Sequence, residues 1–451
     1  MPDPNRPTDD EVVRLLRTYV GNLRRRVAPT EVDSSVMDRI HLQRRGARVG
    51  LVATSVVVIV GIAAVAGIAL AVHVGRFQGP TATSGDTGTT PTGTAAVAWR
   101  TVSTPSGFAP SAISCPSSGE CSAVGGSTVW RYSNGAWTLA GSSGPDTSLD
   151  GVTCLSSGGD CWVVGQQTEA PATGTPDAVL QPLIEQDAGA GLTVVNGPAV
   201  VGDTDSLSAV TCVTEEDCWA VGVFGTDSQN GGDGLEHPLI EHYDGAAWTV
   251  VSSAKPLING SLSSVACVGA NECWAVGSTS DGVLIENYSG AAWSVTVNDD
   301  GAGGGTGLGR LMCVSASDCW AVGGTFGVGV QPLIEHYSTG AWALVASPLV
   351  SGSPDGGLLS GVACTSAERC WAVGAIEPVP NGAGEPLGTA TAHPYAGGGE
   401  PLIERYSAGS WEVVSGPTAV SGEELSAIDC VSSTDECYAV GLGLAEVATG
   451  P

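Results

Sequence analysis

Beyond residue 97 the chain alternates short apolar runs with turns rich in Gly, Ser and Asp. The unit is clearest where Leu207–Cys212, Cys218–Phe224, Pro238–Asp244 and Ala247–Ser253 follow one another. Each run is rich in Val, Ile, Leu, Tyr or Trp, residues that suit a pleated, half-buried surface, so each predicts a strand. The third and fourth runs are joined by Asp244-Gly245-Ala246, and elsewhere by Ser289-Gly290-Ala291 or Ser338-Thr339-Gly340. Links this short predict tight hairpins with a positive φ, hence an antiparallel meander.

The unit recurs. Trp219-Ala220-Val221-Gly222 returns as Trp274-Ala275-Val276-Gly277, Trp320-Ala321-Val322-Gly323 and Trp371-Ala372-Val373-Gly374, with degenerate copies at Ser122–Gly125, Trp162–Gly165 and Tyr438–Gly441. A cysteine pair marks every copy: Cys115 and Cys121, Cys154 and Cys161, Cys212 and Cys218, Cys267 and Cys273, Cys313 and Cys319, Cys364 and Cys370, Cys430 and Cys437. Four-stranded units repeated at this spacing predict an all-β fold, a seven-bladed β-propeller of antiparallel blades. The seventh copy runs out after its second strand near Gly443 and leaves its third strand open. A strand at Ala98–Val102, ahead of the first copy, predicts that both ends of the chain close the last blade and hide its open edge.

Ile240-Glu241-His242-Tyr243-Asp244 followed by Trp248, behind a Trp-Ala-Val-Gly strand, resembles the kelch repeat of galactose-oxidase-type propellers over about residues 97–443. What the resemblance implies is the fold, since activity does not travel with a fold.

Cysteines at the end of one strand and the start of the next lie opposite each other across a hairpin, at a separation a disulfide spans. Zinc is the competing reading, but structural zinc wants a second pair nearby or interleaved histidine. Seven disulfides imply an oxidising compartment. Residues 49–73 are uncharged and include Val56–Val60, long enough as a helix to span the hydrocarbon core, so they predict a membrane anchor. Arg44, Arg45 and Arg48 precede the span and only Arg76 follows it, which orients residues 1–48 to the cytoplasm and the propeller, 97–451, outside. In the cytoplasmic segment Thr8 and Glu11 form a capping box ahead of a helical apolar face. Residues 74–96 make a Thr/Gly/Pro-rich linker. Residues 1–77 hold eleven Arg against seven acidic groups, a net of +4, and the remainder six basic against thirty-nine acidic, a net of −33. A domain that acidic repels nucleic acid.

Candidate chemistry is sparse. Glu185, Glu241, Glu286, Glu335 and Glu404 recur in one slot of the third strand, which points to a shared structural bond between blades rather than a catalytic pair, whose two members need different environments. Trp137, Trp248, Trp293, Trp342 and Trp411 open fourth strands as packing residues. His242 and His336 alternate with Gln186, Asn287 and Arg405 in a slot expected to be exposed. Four histidines in the outer domain do not make a copper centre, and Asp227, Asn230 and Asp233 do not follow an EF-hand spacing. No cofactor, metal site or catalytic residue is assigned. Every long insertion falls on the face opposite the cysteine turns: Gln167–Gln181, Gly225–His237 and Ile376–Glu400. Recognition is expected on that face, with Asp233, His393 and Tyr395 as candidate ligand contacts. The expected function is a membrane-anchored, extracytoplasmic and non-enzymatic binding or sensing module for a protein or glycan. A carbohydrate-active enzyme and a transmembrane regulator with a propeller sensor are the alternatives.

Overall fold

In the computed structural model the described residues are 98–449, apart from 156–159, 170–178, 190, 199–203, 226–233, 256–257, 298–304, 326–329, 349–356, 377–399 and 415–422. All belong to one compact unit, Gly93–Pro451. The cytoplasmic segment, span and linker expected over 1–96 lie outside the described residues. Among the described residues no helix is long and apolar enough to cross a membrane.

Seven four-stranded antiparallel sheets form the blades. The first strands are Ala112–Ser117, Thr147–Cys154, Ser206–Thr214, Gly260–Gly269, Thr306–Ser315, Gly357–Ser366 and Ala427–Val431. Each contacts the first strand of the next blade, and the last contacts the first, so these strands ring the axis. Blade 7 is completed as expected by the N-terminal strand Ala98–Thr101. It also has a third strand, Leu444–Thr449, which pairs with Glu436–Gly441 on one side and Ala98–Thr101 on the other. The expected insertion at Gln167–Gln181 is shorter than the sequence implied, because pairing continues through Thr168↔Leu180 and Glu169↔Val179.

Period-two alternation in the second strand builds the core. Trp219 and Val221 face blade 4 and pack with Cys273, Ala275, Leu284 and Trp293 of that blade. The same layer recurs between each pair of neighbours, seven clusters in all, so the ring is held by packing between blades. Aromatic rings dominate these layers. The Trp219 centroid lies 4.7 Å from Tyr288 and 5.5 Å from Trp293, and Trp320 meets Tyr406 at 4.6 Å and Trp411 at 5.3 Å. Edge-on and tilted arrangements of this kind add to the burial of the rings themselves. Asn134-Gly135 and Thr339-Gly340 show the positive φ expected of the outer hairpins, at 52° and 83°, and 55° and 87°.

All seven cysteine pairs form disulfides within their own blade: Cys115 with Cys121, Cys154 with Cys161, Cys212 with Cys218, Cys267 with Cys273, Cys313 with Cys319, Cys364 with Cys370 and Cys430 with Cys437. Their Cα atoms are 4.0 to 4.1 Å apart, and no free cysteine remains to ligate a metal. The second-strand partners Cys121, Cys161, Cys218, Cys273, Cys319, Cys370 and Cys437 are all buried in the layers between blades, as are Cys115 and Cys364 of the first strands. Each bond closes a loop of six or seven residues, so each contributes about 2 kcal/mol by constraining the unfolded chain. Peptide mapping of the non-reduced protein is expected to recover seven fragments linked within a repeat; links between repeats would contradict this register. Trp99 is buried in the closing strand and meets Trp371 edge-on at 5.2 Å. Trp99→Ala is expected to lower unfolding free energy by roughly 3 kcal/mol, read from denaturant titration, since it removes a large buried side chain at the ring's seam.

Candidate functional site on the propeller axis

A β-bulge places one extra residue in the first strand of blades 2 to 6. In blade 2 Leu149 pairs with Gly165 and Gly151 with Val164, leaving Asp150 unpaired; the register skips Ser208, Ser263, Gly309 and Ser360 in the same way. In blades 1 and 7 Ser111 and Ser426 stand at the corresponding position just before the first strand, each donating its N–H to a second-strand carbonyl, of Val124 and Val440. The local sequence is therefore an apolar residue, the bulge residue, a small residue and a β-former: Leu207-Ser208-Ala209-Val210, Leu359-Ser360-Gly361-Val362, Leu425-Ser426-Ala427-Ile428. The glycine ending each Ala-Val-Gly strand makes the bulge possible. A Cβ on Gly165, Gly222, Gly277, Gly323, Gly374 or Gly441 would overlap the first-strand carbonyl of Ser148, Ser206, Ser261, Gly307, Leu358 or Glu424.

Two copies break this pattern. Five blades place serine at the bulge, whereas blade 2 places Asp150 and blade 5 Gly309; six blades follow the bulge with Ala, Gly or Ser, whereas blade 5 follows it with Arg310. The departures face each other. Arg310 donates from Nη2 to the Ser111 carbonyl of blade 1 at 2.9 Å and from Nη1 to the Gly309 carbonyl at 3.3 Å. Reaching from blade 5 to blade 1 carries the guanidinium across the ring. A Cβ on Gly309 would meet only the Val322 carbonyl, at 3.9 Å, so this glycine leaves room beside the arginine. Asp150 accepts a long bond from Ser148 Oγ on Oδ1, 3.4 Å, while its buried Oδ2 has no hydrogen-bond partner among the described residues. Burial raises the Asp150 pKa to about 6, against the pull of Ser148 and the Arg310 charge. Burial pushes the Arg310 pKa down, and Asp150 counters it. The guanidinium remains a cation, as arginine does in proteins. Arg310 pairs directly with no carboxylate among the described residues, although both side chains are only half-buried. Asp150 is the fourth residue of Thr147–Cys154 and Arg310 the fifth of Thr306–Ser315, about two turns of the pleat in from the end of each strand opposite the disulfide turns.

The repeated glutamates are sealed rather than catalytic. Glu241 and Glu404 are 0% exposed, and Glu446 of the third strand in blade 7 occupies the same slot at 1%. Burial raises their pKa values to about 8, 7 and 7, with Asp205 adding to the rise at Glu241 and Glu423 at Glu446. Such shifts often mark a catalytic acid, but no substrate reaches these groups. Their partners lie in the preceding blade. Ser143 Oγ donates to Glu185 at 2.9 Å, Ser253 Oγ to Glu286 at 2.6 Å and Ser347 Oγ to Glu404 at 2.7 Å. The link between blades 2 and 3 has Gly197 in the serine position, and both carboxyl oxygens of Glu241 are left without partners among the described residues. Blade 1 replaces the glutamate with Trp130, buried against Phe108.

The histidine slot is exposed, as expected, at Gln186, but half-buried at His242, Asn287, His336 and Arg405. His336 lies flat on Trp320 with centroids 3.7 Å apart, His242 on Trp219 at 4.1 Å, and each approaches an aspartate, Asp318 or Asp217, at 2.9 Å. Arg405 covers Trp371 in the same way, 5.8 Å from the ring centroid. Asn287 instead donates its side-chain amide to the Cys273 carbonyl at 3.1 Å. The candidate ligand contacts Asp233, His393 and Tyr395 all lie outside the described residues.

No family model matches the chain, and no curated protein matches it by sequence. Among solved structures it is similar to YCF48 bound to D1 peptide, at 14% identity and a TM-score of 0.49, covering 78% of this chain and 97% of that one. It is also similar to the WD40 beta propeller domain of Doa1, at 11% identity and a TM-score of 0.47, covering 78% and 97%. A GH74 xyloglucanase from Xanthomonas campestris matches at 12% identity and a TM-score of 0.49, covering 77% of this chain and 53% of that chain. Identities this low speak to fold alone, and the functional reading rests on this chain's own residues.

Raised carboxyl pKa values fix the direction of pH dependence. Glu241, Glu404 and Glu446 hold protons in the folded state up to pH 7 or 8, whereas the unfolded chain releases them near 4.5; Asp150 and Asp429 shift the same way, to about 6. The folded state thus binds more protons between about pH 5 and 8, and stability falls as pH rises through that window. At about 1.4 kcal/mol for each tenfold gain in proton affinity, the summed loss is several kcal/mol, visible as a melting temperature higher at pH 5 than at pH 8. Gly197→Ser, which restores the missing donor to Glu241, is expected to add about 1 kcal/mol at neutral pH.

Proposed function

We propose that this chain is a membrane-anchored propeller, kelch-like in its repeat, that acts outside the cytoplasm as a non-enzymatic binding or sensing module. The observation that carries the binding role is the axial pair. In a ring whose blades repeat the same side chain in the same slot, the charged departures of blades 2 and 5 converge on one place, and a guanidinium beside a carboxylate recognises a ligand by complementary charge. Seven disulfides support an oxidising compartment, and the apolar stretch 49–73 behind a run of arginines supports a single span with the N-terminus inside. A protein or glycan partner fits the face that carries the long insertions, around Asp233, His393 and Tyr395, because the opposite face consists of short stapled turns.

Cell fractionation with protease added from outside checks the topology: the propeller is expected in the membrane fraction and digested from outside, and a soluble cytoplasmic protein would refute the anchor. Shortening Ile376–Glu400 to a tight turn is expected to abolish capture of peptide or glycan arrays by the purified protein while the melting temperature holds. Replacing Glu215 and Glu216 on the stapled face with Ser leaves capture unchanged. Glycan turnover in the same samples would instead establish an enzyme.

A further inference from the structure

We propose that the axial site binds a small free α-amino acid, with the ligand's carboxylate on the Arg310 guanidinium and its ammonium on Asp150. The inference rests on the reading of this chain as a binding module and names the ligand class of one site within it.

The charges define the ligand. Two of the five guanidinium N–H groups of Arg310 are used by the carbonyls of Ser111 and Gly309, and no carboxylate among the described residues takes the others. A planar fork with donors to spare matches a carboxylate. Asp150 presents a buried Oδ2 that no described protein group satisfies, and a carboxylate oxygen left unpaired in such a place is costly unless a donor reaches it. An ammonium is that donor. One cation beside one anion complements a zwitterion, whereas a simple anion would leave Asp150 Oδ2 without a donor and a simple amine would leave the remaining Arg310 donors without a carboxylate.

The surroundings define its size. Asp150 and Arg310 belong to blades three steps apart around the ring, yet the guanidinium is bonded to blade 1, whose Ser111 Oγ donates to the carbonyl of Leu149, the residue before Asp150, at 3.2 Å. The two charged heads are therefore neighbours near the axis. The other bulge residues are five serines and Gly309, which offer hydroxyls and backbone but no apolar surface for a large side chain. Glycine, alanine and serine fit this lining, while leucine or phenylalanine would set apolar surface against hydroxyls.

A structural clasp is the competing account: Arg310 would only tie blade 5 to blade 1. The experiment separates the two with the full-length protein. Glycine, L-alanine and L-serine are titrated calorimetrically, with acetate and methylammonium as half-ligands, and thermal shift is followed in parallel. Saturable binding of at least one of the three amino acids, ten-fold or more tighter than either half-ligand, is expected. Asp150→Ser, which installs the residue that five other blades carry, and Arg310→Ala, which installs the residue of blades 1, 3 and 7, are each expected to weaken binding ten-fold or more. Arg310→Lys, which keeps the charge, covers the case in which the alanine variant does not fold. The proposal is overturned by the absence of heat and thermal shift for all three amino acids up to about 50 mM, by acetate binding as tightly as glycine, or by unchanged affinity in Asp150→Ser. Such results leave array capture on the long-loop face untouched, so the failure of this site and the failure of the wider binding reading are told apart.

Discussion

The close approach of a glycine to a neighbouring backbone is the constraint on which this propeller's interior depends. Ala-Val-Gly ends the apolar part of each second strand, and its glycine lies so near the first-strand carbonyl that no side chain fits. That contact permits the extra residue in the first strand, and the bulge in turn bends and twists the innermost strand of each blade. The result is one residue per blade on the ring's inner wall whose side chain is released from the packing code. Structure and chemistry are thereby separated: alternate residues of the second strand lock neighbouring blades, while bulge positions vary without disturbing the lock.

The packing between blades is redundant, and the redundancy makes single departures informative. A serine hydroxyl from one blade meets a buried glutamate of the next at three of the junctions described, and a second-strand tryptophan meets the next blade's tyrosine and tryptophan at several. Where the pattern lapses inside the wall, as at Gly197, the consequence is an orphaned acid, which is an energetic cost with no evident gain. Where it lapses at the axis, at Asp150 and Arg310, two departures answer each other. Compensated departures of that kind point to recognition rather than drift.

Much of the architecture is legible in the sequence because turns, strand period and cysteine spacing all report the same repeat. The disulfides follow from hairpin geometry, and the closing role of Trp99 follows from a strand without a blade. Leu444–Thr449 is hard to see because a short run of Leu, Ala, Glu and Val lacks the Ile-Glu and aromatic residues that mark the other third strands. The histidine slot is misread at His242, His336 and Arg405 when variability is equated with exposure, because an imidazole or a guanidinium there lies on the neighbouring tryptophan. Arg310 reads along the chain as one of several dispersed arginines. Aligning the seven first strands on Leu-Ser-small-Val shows it alone against six small residues, a signal that no single segment contains. The loops around Asp233, His393 and Tyr395 have no such repeated frame from which to read a position.

The seam in blade 7 orders the way the molecule is made. Ala98–Thr101 leaves the ribosome before any blade exists, and its partner Leu444–Thr449 comes about 350 residues later, a delay of tens of seconds at ordinary rates of synthesis. Each hairpin can be oxidised as soon as it emerges, because its two cysteines are six or seven residues apart. The blades are thus committed one at a time, with their edges exposed and their disulfides already in place, while the first strand waits. Ring closure is the final event of biosynthesis, and a chain truncated anywhere before residue 444 presents an open arc of stapled blades rather than a smaller propeller.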